Sequence, residues 1–253
     1  IDLADSGWIA GGSFIAGGNV TAALDYTILD AAFQGETVTL VADNGDGAID
    51  AMGNLSVTAR DSAELSAAGD ISNTSVLAAN AATIDLDGDL NNNTVTADSI
   101  TITGLENLEN GSYLARASDL SVEASGDIVG ATLTAEAGDL SLQAVKIANT
   151  RVTAQVGAVS LDAEGLLGSD VFGFDGIEAK GFNEMANSTL TANELVTLES
   201  SFVDNVDILA TSIEASGITE LFAGSWVAYE GDIDVAAAEI SATSFIASDN
   251  GDN

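Results

Sequence analysis

The string Asp-Asn-Gly-Asp occurs twice in the sequence, and its spacing resembles part of a calcium-binding loop. Its carboxylates are Asp43 and Asp46 in the first copy and Asp249 and Asp252 in the second. Calcium takes acidic and amide oxygens at alternate positions of an EF-type loop, but the alignment here places alanine at the first ligand position and glycine at the twelfth. Because Asp, Asn and Gly also favour tight turns, the strings predict either two turns, which we favour, or a calcium site. Calcium is the one cofactor that the sequence suggests.

Pairs of threonines separated by one residue are a second functional candidate. Alternate residues of a strand point to the same side, so each pair places two hydroxyls on one face. Such pairs occur at Thr37 and Thr39, Thr94 and Thr96, Thr132 and Thr134, and Thr189 and Thr191. A ladder of these pairs predicts a face that binds ice or another ordered surface. The alternative is that threonine is a common exposed strand residue.

Several other kinds of chemistry are excluded by composition. The chain has 5 basic and 40 acidic residues, a net charge of −35, and no Cys, His or Pro. Zinc sites of the usual kind and histidine-based catalysis are therefore excluded. A surface this acidic repels nucleic acid and anionic membranes, and no apolar run reaches the 18 residues of a membrane span. We expect no enzyme, although a polysaccharide-binding or polysaccharide-cleaving groove is an alternative.

An internal repeat of 19 residues organises the chain. Valine or leucine recurs at this interval ten times in succession, at Val38, Val57, Val76, Val95, Leu114, Leu133, Val152, Val171, Leu190 and Leu209. A mostly small residue follows two positions later, and an apolar anchor precedes by five, including Phe14, Phe33, Met52 and Ile71. Such alternation predicts a strand in every repeat, with alternate residues directed inward.

Glycine and asparagine recur between the anchor and the strand. These positions are Gly35, Asn54, Asn73, Asn92, Gly111, Gly130, Asn149, Gly168 and Asn187. Both residue types tolerate the left-handed backbone of a sharp corner. A second strand follows in each repeat, and a Gly-Asp step, as in Gly88-Asp89, leads to the next anchor.

Short strands joined by such corners predict one coil of a parallel β-solenoid. Residues 1–253 are expected to form a single all-β domain, a β-helix of about 19 residues per coil, with an irregular loop or bulge around 165–187. Both Asp-Asn-Gly-Asp strings are expected at the same corner of the coil, because each follows a strand of similar pattern.

The Gly-Asp-Ile/Leu steps, with the Val-Thr-Ala and Leu-Ser-Leu strands, resemble the haemagglutinin repeat of filamentous-haemagglutinin-like bacterial exoproteins. The resemblance covers about residues 30–215. It implies a right-handed parallel β-helix that is secreted or held at the cell surface, and a partner in the cell surface or matrix for adhesion.

Strand-like repeats extend to both ends of the sequence, which favours a structural role. An open strand edge pairs readily with another chain, and a contact that does not close on itself propagates into a filament. We therefore expect an extracellular structural or adhesive rod whose copies assemble head to tail.

Overall fold

The computed structural model describes residues 1–4, 7–43 and 51–248, which form 31 β-strands and no helix. The first strands in chain order are β1 (Asp2–Ala4), β2 (Ile9–Ile15), β3 (Val20–Leu24), β4 (Ile28–Gly35), β5 (Val38–Ala42), β6 (Met52–Gly53), β7 (Ser56–Ala59), β8 (Ala63–Ala67), β9 (Ile71–Ser72), β10 (Ser75–Ala78), β11 (Ala81–Leu86), β12 (Leu90–Asn91), β13 (Thr94–Ala97), β14 (Ser99–Thr103), β15 (Leu108–Glu109) and β16 (Ser112–Ala115). The remaining strands are β17 (Leu120–Glu123), β18 (Asp127–Val129), β19 (Thr132–Ala135), β20 (Leu140–Ala148), β21 (Arg151–Ala154), β22 (Ala158–Leu167), β23 (Asp170–Gly173), β24 (Gly176–Ala186), β25 (Thr189–Ala192), β26 (Leu195–Asp204), β27 (Asp207–Ala210), β28 (Ser212–Phe222), β29 (Ser225–Ala228), β30 (Ile233–Ser241) and β31 (Ser244–Ala247).

These strands stack in parallel as three ladders, which we call A, B and C in their order along one coil. Ladder A contains the apolar anchors, such as Ile71 paired with Leu90. Ladder B contains the strands of Val-Thr-Ala type, such as β10 paired with β13. Ladder C contains the second strand, such as β8 paired with β11. From β20 onward, one long strand in each coil supplies both ladder C and the next ladder A.

The predicted fold is confirmed: the chain is a parallel β-solenoid of about 12 turns with about 19 residues per turn. Neighbouring strands of a sheet lie about 4.8 Å apart, so the rod is on the order of 60 Å long. Side chains alternate between solvent and interior along each strand, and one apolar core runs through the coils. Its inward positions are mostly Val, Leu, Ile and Ala, and the largest are Trp226, Tyr113 and Phe33.

Three members of the predicted valine and leucine series do not belong to one file. Val38 lies in ladder C, paired with Ala63, and the ladder B partner of Val57 is Phe33, which the sequence pattern had placed among the anchors. That coil spans 24 residues, so two unrelated valines happened to be 19 apart. Leu114 and Leu209 point outward, because their coils are one residue short and Tyr113 and Ile208 take the inward places.

Left-handed residues mark the corner between ladders A and B. They include Asn54, Asn73, Asn92, Asn149 and Asn187, all with φ near +50°. Asp30 takes this place in the early coil, whereas the predicted Gly35 lies inside β4. The glycines are needed where a side chain would introduce strain, as at Gly130 with φ +68°.

The predicted Gly-Asp step has a structural explanation in the contact between successive coils. The Oδ1 atom of Asp70 accepts the backbone N–H of Asp89 at 2.9 Å. Asp89 in turn accepts the backbone N–H of Asn107 at 3.1 Å, and Asn107 Oδ1 accepts that of Asp127 at 2.9 Å. A Cβ atom on Gly88 would lie 2.6 Å from Asp70 Oδ1. Glycine is therefore required before the aspartate because the chain crosses the carboxylate of the coil before it.

Residues 165–187 lie within the coils, as parts of β22 to β25. The ladder register shifts there by one residue: Asp162 pairs with Lys180, but Gly165 pairs with Glu184. A compensating shift follows between Ala179 and Phe182 in the pairing with β26. The irregularity that the sequence predicted corresponds to a one-residue bulge in β24.

Candidate interaction face

The outer face of ladder B presents two columns of side chains along the rod. The first column is Ser13, Ala32, Ser56, Ser75, Thr94, Ser112, Thr132, Arg151, Asp170, Thr189, Asp207, Ser225 and Ser244. The second is Ile15, Gln34, Thr58, Leu77, Thr96, Leu114, Thr134, Thr153, Phe172, Thr191, Leu209, Val227 and Ile246. We call these two columns together the ladder B face.

Six of the eight predicted threonines lie on the ladder B face. These are Thr94, Thr96, Thr132, Thr134, Thr189 and Thr191, and each pair places its members side by side in the two columns. Thr39 instead belongs to ladder C, where it pairs with Thr21 and Glu64, and Thr37 precedes that strand. The misplacement of Thr37 and Thr39 has the same cause as that of Val38, the 24-residue coil.

The ladder B face carries little charge in a very acidic protein. Its second column has no charged residue, and its first has Arg151, Asp170 and Asp207. The Arg151 guanidinium lies 4.0 Å from the Asp170 carboxylate, and Asp207 Oδ1 accepts the backbone N–H of Ser225 at 2.8 Å. The outer positions of ladder C, by contrast, contain nine acidic residues: Asp2, Glu64, Asp85, Glu123, Asp162, Glu178, Glu199, Glu214 and Asp234.

Apolar side chains alternate with the threonines of the second column and are substantially exposed. Leu77 is 47% exposed and Leu209 44%, and Ile246 in the last coil is 52% exposed. A shallow depression of about 360 Å³ lies at the middle of the face, lined by Arg151, Thr153, Asp170, Phe172 and Thr191 among others. The face thus offers hydroxyl and apolar contacts over most of the rod.

Buried hydrogen bonds hold the strands of ladder B at their corner with ladder A. Asn93 accepts the N–H of Thr74 at 2.8 Å through its Oδ1 and donates to two backbone carbonyls, each at 3.0 Å. In later coils Ser169 Oγ accepts the N–H of Thr150, and Ser188 Oγ accepts that of Ser169, both at 3.2 Å. These buried polar groups are satisfied from coil to coil, which fixes the height of each ladder B strand.

Tyr113 and Trp226 take inward positions of ladder B in two coils whose corner residue is glycine. A Cβ atom on Gly111 would lie 3.1 Å from the Tyr113 hydroxyl, and the indole N–H of Trp226 donates to the Val206 carbonyl at 3.1 Å. Burial raises the pKa of Tyr113 well above its ordinary value, an effect that the neighbouring Asn93 side chain partly offsets. The polar end of each aromatic side chain thus lies beside the corner where other coils have Thr, Asn or Ser.

The predicted calcium ligands are only partly within the described residues. Asp46, Asp249 and Asp252 lie outside them. Asp43 donates its backbone N–H to the Leu24 carbonyl at 3.1 Å and lines a depression of about 120 Å³ with Asp85 and Asp87. Over residues 1–4, 7–43 and 51–248, no group of three or more acidic side chains is placed to hold a metal ion.

The two Asp-Asn-Gly-Asp strings do not follow equivalent strands, contrary to the sequence prediction. Asp43 follows β5, which belongs to ladder C. The strand that precedes Asp249 is β31, which belongs to ladder B. The sequence pattern confused the two ladders because both end in the same apolar-x-apolar arrangement.

Aromatic residues at the two ends of ladder B were not recognised as a group from the sequence. In the first coils Phe14 stacks on Phe33 with ring centroids 5.0 Å apart, and in the last coils Phe245 meets Trp226 edge to face at 5.6 Å. Their spacings from one another could have been detected only once the ladder B register was known. In the part of the chain that the structure describes, no helix is long and apolar enough to cross a membrane.

No protein-family model, curated protein or solved structure matches this chain significantly. The likeness to the haemagglutinin repeat is therefore based on the repeat motifs alone and stays a prediction. What the geometry defines is the class of protein: an acidic parallel β-solenoid with one face of low charge.

Proposed function

We propose that this chain is an extracellular or cell-surface structural rod that assembles end to end and serves in adhesion or in a matrix. The observation that carries the proposal is the concentration of aromatic side chains at both ends of the inward file of ladder B. Stacked end to end, Phe245 of one copy would face Phe14 of the next, between Trp226 and Phe33. Aromatic pairs contribute about 0.5–1.5 kcal/mol beyond their burial.

The end coils also leave inward apolar groups only partly covered. Leu3, Ile9 and Phe14 in the first coils, and Ile233 and Val235 in the last, pack against the core without complete burial. Phe245 is 39% exposed, whereas the matching Val95 and Leu133 of middle coils are 0% exposed. Another coil of the same cross-section would bury these groups and pair the strand edges, which supports head-to-tail stacking.

The distribution of charge supports the same arrangement. All five basic side chains, Arg60, Arg116, Lys146, Arg151 and Lys180, lie within 4.0 Å of a carboxylate, so the excess of acidic groups along the flanks is not neutralised within the chain. Repulsion between flanks and attraction between apolar ends favour linear association. The acidic surface suits the cation-rich medium outside cells, which supports the proposed location.

The test is negative-stain electron microscopy with sedimentation velocity, comparing the wild-type chain with Phe245→Asp. We expect filaments or short multiples of the rod for the wild type and single rods for Phe245→Asp. Phe222→Asp is the matched control, because Phe222 is 40% exposed on a flank rather than an end. Single rods for the wild type at all concentrations would reject end-to-end assembly.

Calcium and a chelator are compared in the same experiment. Filaments that disperse in chelator would show that assembly depends on cations at the acidic corners. Filaments in both would keep the structural role and assign the Asp-Asn-Gly-Asp strings to turns.

A second candidate is an ice- or surface-binding solenoid, and the stacking of Thr94, Thr96, Thr132 and Thr134 on one face favours it. Replacing Thr96 and Thr134 with tyrosine would abolish ice shaping under this alternative and leave end-to-end assembly intact under the first proposal. Crystal growth in a temperature-controlled ice assay gives the readout.

A further inference from the structure

The ladder B face differs from the other flank described above in both charge and chemistry. Its second column is uncharged over thirteen coils, while ladder C carries nine outward carboxylates. Net charge of −35 makes any two copies repel one another unless they meet where carboxylates are few. The two carboxylates on this face are engaged, Asp170 by Arg151 and Asp207 by the N–H of Ser225.

The size of the face matches a protein–protein contact. About 12 coils at about 4.8 Å give a length near 60 Å, and a four-residue strand is about 13 Å wide. Face-to-face contact would bury roughly 800 Å² on each partner. Stable interfaces bury about 1,200–2,000 Å² in total, so the ladder B face is large enough by itself.

We propose that two copies of this chain pair side by side through their ladder B faces. A second copy is the occupant that the charge pattern fits, since it meets hydroxyl and apolar side chains with the same kinds of group. The exposed Leu77, Leu114 and Leu209 would be covered between threonines of the partner. This pairing is closed and twofold, so it yields dimers, whereas contact at the ends yields open chains.

Sedimentation equilibrium of the full chain tests the pairing, with two double variants of equal charge. Thr96→Glu with Thr134→Glu adds two carboxylates to the ladder B face. Thr101→Glu with Ser141→Glu adds the same two charges to the outer side of ladder C in neighbouring coils. We expect the first variant to raise the dimer dissociation constant roughly tenfold or more and the second to change it little, because like charges would be opposed only in the first.

Phe245→Asp separates this proposal from end-to-end assembly. If the rods pair by ladder B, the dimer persists in Phe245→Asp while longer species disappear. A wild-type chain that stays monomeric in about 1 M salt, where repulsion is screened over about 3 Å, would overturn the pairing. Equal weakening by the two double variants would also overturn it. A monomer whose ice shaping is lost only in the first variant would assign the face to ice instead.

Engineered cysteines give an independent readout, because the chain has none. Thr134 lies on the seventh of the thirteen ladder B strands, so a twofold contact centred on the face brings it close to its own counterpart. Thr134→Cys should form an intermolecular disulfide under mild oxidation. Ser141→Cys, on ladder C in the following strand, is the control and should remain a monomer on a non-reducing gel. Equal cross-linking of both would contradict the proposal.

Discussion

At the scale of single residues, the corner between ladders A and B shows how backbone conformation selects the side chain. Asparagine or glycine fills most coils at this place, but Ala223 and Ala242 have φ values of 52° and 56°. The left-handed conformation costs alanine roughly 1–2 kcal/mol, because its Cβ approaches the following carbonyl. These two alanines are therefore strained positions in an otherwise matched column.

Ala223→Gly is expected to stabilise the fold by about 0.5–1 kcal/mol, because glycine adopts this φ without strain, while the greater freedom of the unfolded chain offsets part of the gain. Urea unfolding followed by circular dichroism provides the measurement. Ala228→Gly is the control: Ala228 is buried in a strand, so the same change there should destabilise. An unchanged or lower midpoint for Ala223→Gly would contradict the strain.

The buried hydroxyl of Tyr113 makes stability depend on alkaline pH. Because burial raises its pKa in the folded state, the unfolded chain loses the proton first as pH rises through the ordinary value of about 10. Its contribution is therefore complete below about pH 10 and is lost progressively above it, by up to about 1.4 kcal/mol per pH unit.

Tyr113→Phe should flatten the decline of the melting temperature between about pH 9.5 and 11.5, since phenylalanine has no proton to lose. Tyr26→Phe serves as the comparison, because Tyr26 is 45% exposed. Parallel curves for wild type and Tyr113→Phe would show that the hydroxyl does not titrate against folding.

At the scale of one coil, aspartates join each turn to the next. Asp89 accepts two hydrogen bonds from Asn107, from its backbone N–H at 3.1 Å and its side-chain amide at 2.9 Å. Asp139 Oδ1 likewise accepts the N–H of Ala158 at 2.8 Å. Part of the acidic excess therefore serves to satisfy backbone donors at the corners.

Asp89→Ala is expected to lower the unfolding free energy by about 1–2 kcal/mol, because the N–H of Asn107 loses its charged acceptor. Asp89→Asn keeps an oxygen at the same place and should lose about half as much. Glu64→Ala removes a charge from the outer side of ladder C and should change stability by no more than about 0.5 kcal/mol. Chemical denaturation of the three variants separates the hydrogen bond from the charge. Equal losses for Asp89→Ala and Asp89→Asn would contradict the bonding role.

The solenoid was predictable from the sequence because every coil repeats one local pattern, so neighbouring coils support the same interpretation. The exact file was less predictable where the coil length changes. Val38 shares the 19-residue interval with Val57 but pairs in another ladder, and Thr39 followed it to ladder C. Tyr113 was hidden because its coil is one residue short, which a single period cannot detect. The low charge of the ladder B face becomes visible only when that register is known.

At the scale of the whole molecule, the stacked carboxylates oppose the contacts between coils. Like charges one coil apart repel by about 1 kcal/mol in water, and the rod repeats such contacts along its flanks. The five basic residues relieve few of them. Parallel pairing and a continuous core must therefore exceed this repulsion, and cations in the medium reduce it without a specific site.

The melting temperature should accordingly rise as sodium chloride increases from about 0.01 M to 1 M, because the screening length falls from about 30 Å to about 3 Å, below the spacing of the coils. Calcium and magnesium at equal millimolar concentration should give equal shifts if the effect is general screening. The variant with Asp43, Asp46, Asp249 and Asp252 all changed to Asn distinguishes a specific site. A calcium-specific stabilisation at micromolar concentration that this variant loses would establish the Asp-Asn-Gly-Asp strings as calcium ligands. Identical responses of the variant and the wild type would leave them as turns in a protein whose need for cations is spread along its whole length.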